Sequence, residues 1–263
     1  MRVVRPEFVP DPSLSREAME TLQREIAETA VFDDDLSVDP ETIPASSDSE
    51  QTTLSDEAAS APLVAGVDQA FVDDRAVSAV VVTQGGAVVE RTHAVERTEI
   101  PYVPGLLSFR EGSAILAALD RIEHDPDVLL VDGSGRIHFR EAGLATHVGV
   151  TVDVPTVGVA KNLLCGAPER PLDGGFPEGT RVPIHADDAI ETATAGTHVG
   201  DAVQTRQYDS PNRHVNPLVV SPGHRASAET ATDLVLATAA GYKLPEPTRL
   251  ADRAADEAKT EVP

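Results

Sequence analysis

LVAGVDQAFVDDRAVSAVVVTQGGAVVERTHAVERT, residues 63–98, is the stretch on which the fold turns. It holds three short β-rich runs, 63–72, 76–85 and one beginning after Gly85 and Gly86, with Asp73 and Asp74 as the first turn signal. Such spacing predicts three consecutive antiparallel strands. Downstream the pattern alternates. Ser108 opens a helix with Ile115, Leu116, Leu119 and Ile122 on one apolar face, closed by Asp125 and Pro126. DVLLVDGSG, 127–135, is a continuous apolar strand that stops at a Gly-rich turn, as a buried parallel strand does. A helix over about 141–150, the strand PTVGVAK at 155–161, strands near 180–185 and 197–206, and a last central strand in NPLVVSPGH, 216–224, complete the sheet. Ser227 caps a helix running to Gly241, and a further short helix follows Pro245. Three strands followed by helix–strand alternation define an α/β fold, a mixed sheet flanked by helices.

Upstream, SLSREAMETLQREIAETA, 13–30, has Leu14, Met19, Leu22 and Ile26 near helical spacing. Residues 32–62 lose that period and are rich in Asp, Ser, Glu and Pro, the composition of a disordered insert. The expected organisation is an N-terminal helical segment (1–31), an acidic insert (32–62), a main folded domain (63–251) and a C-terminal tail (252–263).

The chain has 263 residues with 44 Asp plus Glu against 21 Lys plus Arg, a formal charge of −23. Only Lys161, Lys243 and Lys259 are lysines. This is not the basic footprint of an ordinary nucleic-acid binder. It suits the solvated acidic surface by which halophiles stay soluble. The lone Cys165 excludes an intrachain disulfide and a cysteine metal cluster. With no membrane-length apolar run, the expectation is a soluble, cytoplasmic monomer.

Three carboxylates stand out. Asp68 interrupts an apolar strand, and Asp132 ends one, where open α/β sheets place ligands. If the two strands are neighbours, both acids meet at one edge, and Glu111 from the intervening helix can join them. Three converging oxygen donors suit Mg²⁺ or Mn²⁺ and phosphodiester hydrolysis. Each has an ordinary alternative: an edge-strand acid for Asp68, a turn acid for Asp132, and for Glu111 the capping box S-F-R-E, 108–111. Lys161 ends a strand and faces either phosphate or solvent. His138 and His224 are candidates for a proton donor, a ligand or a phosphate contact, or are structural.

PYVPGLLSFREG (101–112), VDGSGRIHFREAGLATHVG (131–149), DVPTVGVAKNLLCG (153–166), VVSPGHRAS (219–227) and YKLPEPTRLA (242–251) occur in an order and spacing that resemble the endonuclease V family, the deoxyinosine 3′ endonucleases. The resemblance implies a ribonuclease H-like fold. It also implies Mg²⁺-dependent nicking, Mn²⁺ substituting, at the second phosphodiester bond 3′ to hypoxanthine in DNA, with inosine-containing RNA as the other candidate substrate. A non-catalytic lesion-binding module on the same fold is the alternative from a different class.

By the matching positions Asp68, Glu111 and Asp132 are the implied metal ligands. His138, Lys161 and His224 are further catalytic residues, and Tyr102, Gly105, Leu107, Gly133 and Gly135 are substrate-binding. Tyr102, set between Pro101 and Pro104, becomes a rigid wedge beside the displaced base, and the glycines let backbone amides reach its edge. Arg97, Arg110, Arg136 and Arg140 are the cations available to line a groove. Ser134 stands where relatives often carry a larger polar residue, which leaves fine substrate choice open.

Overall fold

In the computed structural model, which describes residues 1–43, 60–173, 175–208 and 215–262, the predicted strand triplet is present. β1 (Leu63–Val72), β2 (Arg75–Gln84) and β3 (Ala87–Arg97) pair antiparallel through two-residue turns. Gly85 and Gly86 both have positive φ, 57° and 82°, and Asp73 has 50°, the twist that tight hairpins require.

β4 (Val128–Asp132) then pairs parallel with β1, and β5 (Thr156–Ala160) parallel with β4. α2 (Leu107–Leu119) precedes β4, and α3 (Leu144–Val152) connects it to β5. β9 (Leu218–His224) lies antiparallel beside β5, followed outward by β8 (His198–Val203), β7 (Arg181–His185) and the two-residue β6 (Ala167–Pro168). The nine strands form one sheet in the order β3-β2-β1-β4-β5-β9-β8-β7-β6.

Alternation along each strand sorts the core between two faces. Ala65, Val67, Val80, Val82, Leu129 and Val131 pack on Ile115 and Leu119 of α2 and on Leu144 and Val148 of α3. Val64, Leu130, Val157, Val159 and Val220 pack on Leu234 and Val235 of α4 (Ala228–Ala237). α5 (Glu246–Lys259) crosses β1 and β2 so closely that a Cβ on Gly66 would lie 2.0 Å from the carbonyl carbon of Pro247. Among the described residues no helix is long and apolar enough to cross a membrane.

Several boundaries differ from those read in the sequence. α2 starts at Leu107, with Leu106 as its N-cap, and Ser108 makes no capping bond; its buried hydroxyl has no partner among the described residues. The S-F-R-E capping box is therefore not formed. α3 starts three residues later than Glu141, because Glu141 has φ 48° and the Gly143 amide is drawn to the Gly135 carbonyl. α4 ends at Ala237 rather than Gly241, where Thr238 Oγ1 donates to the Leu234 carbonyl. α5 runs unbroken across the boundary drawn at 251/252.

The N-terminal segment is fastened to the body. The Val4 and Arg5 amides donate to the Thr151 carbonyl, and Phe8 packs with Ile26 of α1 (Arg16–Thr29), Ala142 and Val150. The described start of the acidic stretch is also anchored. Asp34 accepts from the Ser227 amide and Thr230 hydroxyl at 2.7 and 2.9 Å, Asp35 pairs with Arg225 at 2.8 Å, and Val38 is buried. The remainder of the expected disordered insert, 44–59, lies outside the described residues.

Candidate active site

Parallel pairing of β1 and β4 matches Val67 with Val131, so Asp68, in the middle of β1, follows beside Asp132 at the end of β4. Neighbouring strands lie about 4.8 Å apart, close enough for two carboxylates to repel strongly. Asp68 is 5% exposed, and its Oδ1 accepts from the Gln69 amide at 2.6 Å. Its Oδ2 is buried with no partner among the described residues. Burial first, and Asp132 second, raise its pKa far above the carboxylate range.

Asp132 accepts from Lys161 Nζ at 2.9 Å. Glu111, buried on the first turns of α2, accepts from Arg110 Nη1 at 3.2 Å. Burial lifts Glu111 to about 7; Arg110 opposes that shift and Asp132 adds to it. Asp132 thus couples electrostatically to both other acids.

Among the described residues no three His, Cys, Asp or Glu side chains form a ready-made metal cluster. Lys161 and Arg110 hold two of the three carboxylates, and the third keeps an orphaned oxygen. Carboxylate oxygens are hard donors of the kind that divalent cations such as Mg²⁺ and Mn²⁺ take, and the unpartnered Asp68 Oδ2 is the one oxygen of the three residues' side chains that is buried without a partner among the described residues.

Asp252, on α5, adds a fourth negative charge. It raises the pKa of Asp68 and, with Asp132 and Asp68, that of Lys161, whose upward shift outweighs its partial burial. Sequence reading missed it because an acid on the amphipathic α5 looks solvated. The signal that could have found it was Gly66, whose missing side chain admits the start of α5 to the backbone of β1.

Beside the acids opens a cleft of about 390 Å³, lined by Tyr102, Gly105, Leu107, Asp132, Gly133 and Lys161 among others. Tyr102 is 63% exposed at the cleft. Gly105 has φ 80°, and a Cβ there would lie 2.8 Å from the Phe139 ring, so both conformation and space demand glycine.

His138 secures this loop. Its Nδ1 accepts from the Arg140 amide at 3.2 Å, which leaves Nε2–H to donate to the Gly105 carbonyl at 3.1 Å. Burial depresses its pKa to about 3, so it is a neutral tie that lines the cleft, with both ring nitrogens engaged by backbone. Gln23 of α1, also missed in the sequence, donates to the same carbonyl at 2.8 Å. A polar residue among Met19, Leu22 and Ile26 was its only sequence signal.

Other expectations are corrected. The Gly133 amide donates to the Val159 carbonyl and the Gly135 amide to Ser221 Oγ, so neither is available to a base edge; Gly135 does not line the cleft. His224 pairs in register with Thr156, at the start of β5, because β9 runs antiparallel to it. It therefore lies at the opposite end of the strand from Lys161. There its Nδ1 accepts from the Val31 amide and its Nε2 bonds Asp153 at 3.1 Å, with the ring buried. None of the four arginines lines the cleft: Arg97 faces Asp74, Arg110 Glu111, Arg136 Glu141, and Arg140 Gln23 and Glu191.

The family model for endonuclease V matches residues 47–253. An endonuclease V from Haloarcula marismortui is 69% identical, the alignment covering 98% of each chain, and one from Natronomonas pharaonis is 59% identical with the same coverage. Among solved structures, endonuclease V from Streptomyces avermitilis has a TM-score of 0.74 at 32% identity, covering 99% of each chain. A Ciona intestinalis endonuclease V in complex with a 24mer DNA containing an inosine followed by a ribo-adenosine shares the fold, with a TM-score of 0.68 at 23% identity over 94% of this chain and 98% of that one. The fold is the ribonuclease H-like one that the resemblance implied, and by extent and identity of match the chain belongs to the endonuclease V family of DNA-hydrolysing nucleases.

Proposed function

We propose that the chain is a DNA repair endonuclease that recognises hypoxanthine and hydrolyses the second phosphodiester bond on its 3′ side, dependent on Mg²⁺, for which Mn²⁺ substitutes. The carrying observation is the orphaned Asp68 Oδ2 beside Asp132, at the edge of the cleft that Tyr102 overlooks. Asp68, Glu111 and Asp132 would hold the cation, with Asp252 adding negative charge. When bound, a divalent ion supplies Lewis-acid polarisation of the phosphoryl group and a water of lowered pKa.

The chain's own residues do the rest. Lys161, half exposed beside Asp132, offers an ammonium to a backbone phosphate. Tyr102 replaces part of the stacking lost when a base leaves the helix, a cost of a few kcal/mol. The cleft volume falls within the range of small-ligand pockets and accommodates one extruded base. His138 and Gln23 fix Gly105, so the loop is ordered before substrate arrives. The inosine-bearing DNA carried by the Ciona relative supports the choice of substrate.

The test is nicking of a deoxyinosine duplex with and without Mg²⁺, with Glu111→Gln as the variant. Glutamine keeps the side-chain length and is a poor cation ligand. The expected result is metal-dependent nicking by the parent and none by the variant. Nicking in EDTA, or at parental rate by the variant, would overturn the assignment.

A further inference from the structure

Lysine is scarce in this chain and unevenly placed. Lys259 lies at the end of α5 and pairs with Asp256 at 2.5 Å. Lys161 follows β5, whose Ala160 pairs with Val219 of β9, whose Leu218 pairs in turn with Val203 of β8. Two residues beyond Val203, Thr205 Oγ1 donates to the Lys243 carbonyl at 2.5 Å. The loop bearing Lys243 is thereby pinned across the strand ends that carry Lys161. The two ammonium groups repel: burial first, and Lys161 second, lower the pKa of Lys243.

Lys243 makes no ion pair with any described residue, although the chain holds 44 acids. A partly buried cation beside another cation, with no carboxylate to answer it, is unfavourable unless an anion arrives from outside. Next to it Tyr242 is 46% exposed. The Arg249 guanidinium lies 4.3 Å from the ring centroid and is itself gripped by both Glu246 carboxylate oxygens, at 2.6 and 2.7 Å. The ring is thus held in place while much of it faces solvent. A fixed aromatic beside an unanswered cation is the chemistry that binds unpaired nucleic-acid strand without regard to sequence.

We propose that Tyr242 and Lys243 form a second nucleic-acid contact, in which a stretch of unpaired strand leaving the cleft past Lys161 stacks a base on Tyr242 and sets a backbone phosphate on Lys243. This rests on the reading that the cleft takes nucleic acid. It adds a surface near Lys161, contributed by the loop between α4 and α5.

The test is binding of a fluorescent single-stranded oligothymidine 20-mer, followed by anisotropy in EDTA across a KCl series. Tyr242→Ala is expected to weaken binding about 5- to 100-fold, and Tyr242→Phe to restore it. Lys243→Gln is expected to flatten the slope of log K against log salt by about 0.7. Lys259→Gln, which makes the same change in net charge away from this loop, should leave slope and affinity as in the parent. Equal behaviour of Lys243→Gln and Lys259→Gln, or parental binding by Tyr242→Ala, would overturn the proposal. Parallel nicking of a deoxyinosine duplex separates the two readings. Weakened oligothymidine binding in the variants with no nicking by the parent keeps this surface and removes the repair reaction; nicking by the parent with unimpaired binding in the variants does the reverse.

Discussion

Replacing Asp68 by Asn should make the protein harder to unfold in EDTA. In the unfolded chain this carboxyl titrates near 3.8, whereas burial and Asp132 keep it protonated past neutrality in the fold. Folding at pH 7 therefore takes up a proton, at about 1.4 kcal/mol for each pH unit between the unfolded pKa and the assay pH, or about 4 kcal/mol. The sign follows from a raised carboxyl: the penalty is absent below pH 3.8, grows with pH, and stops growing only when the folded group ionises. Asparagine carries no such penalty, and its Oδ1 keeps the bond from the Gln69 amide. Its NH₂ group replaces the partnerless Oδ2, an unsatisfied donor costing about 1–3 kcal/mol.

The net gain is about 1–3 kcal/mol at pH 7, or roughly 3–10 °C for a chain of this size. Thermal unfolding followed by circular dichroism in molar KCl and EDTA, from pH 5 to 8, reads both the gain and its slope. The gap between variant and parent should widen with pH by up to about 1.4 kcal/mol per unit. Saturating Mg²⁺ should then stabilise the parent selectively and narrow the gap. A variant that melts with the parent, or below it by a constant amount at every pH, would refute the reasoning, because the fold would then not raise the pKa of Asp68.

Ser108→Ala should leave the melting temperature unchanged or raise it, since the hydroxyl is buried without a partner; a working cap would instead cost about 1 kcal/mol. His224→Gln should lower the melting temperature by several degrees through loss of its bonds to Val31 and Asp153, with nicking per folded molecule unchanged, while Asp252→Asn should slow nicking. His138 and His147 are held neutral by burial, near 3 and 4, so each takes up a proton on unfolding as pH falls below 6.5. In an Asp68→Asn/Glu111→Gln double variant, where no raised carboxyl offsets them, stability should fall by about 3 kcal/mol per pH unit between pH 6 and 4.5, read from urea midpoints. Nicking should persist in molar KCl and weaken in dilute buffer, where the Debye length grows from about 3 Å to about 30 Å and the acids act on DNA at a distance.

The parts of this fold written in local chemistry were legible. Two-residue turns at Asp73–Asp74 and Gly85–Gly86 separated β1, β2 and β3, and the unbroken apolar run of β4 marked a strand buried on both faces, so Asp68 was placed within one strand and Asp132 at the end of another before any coordinates. What failed depended on direction and approach. β9 read correctly as a central strand, yet nothing in LVVSPGH says which way it runs; antiparallel pairing with β5 carries His224 to the wrong edge. Ser108 matched a capping pattern, but the Leu106 amide bonds the Val103 carbonyl and starts the helix one residue early, which turns the hydroxyl into the core and frees Glu111 from a capping role. The amides of Gly133 and Gly135 were offered to a ligand, whereas the sheet and Ser221 already claim them.

An acidic nuclease has to bring a polyanion to a cluster of its own acids, and the arrangement of charge shows how the conflict is eased. The four arginines expected to line a groove are held mostly by nearby acids and keep away from the cleft, so they contribute little long-range attraction. The three acids of the candidate site are kept quiet by protonation, by Lys161 or by Arg110, and so present less negative charge to an approaching phosphate than their number suggests. On the proposed function, selectivity would fall on groups that act within a few ångströms: a cation shared between carboxylates and phosphate, the half-exposed Lys161, and the Tyr102 ring. Each of these works at distances shorter than the Debye length of molar salt, about 3 Å, or needs no charge at all. A basic groove would lose most of its affinity under the same conditions, because counterion release contributes little there. In molar salt, a negative surface and a site that acts at short range are therefore compatible.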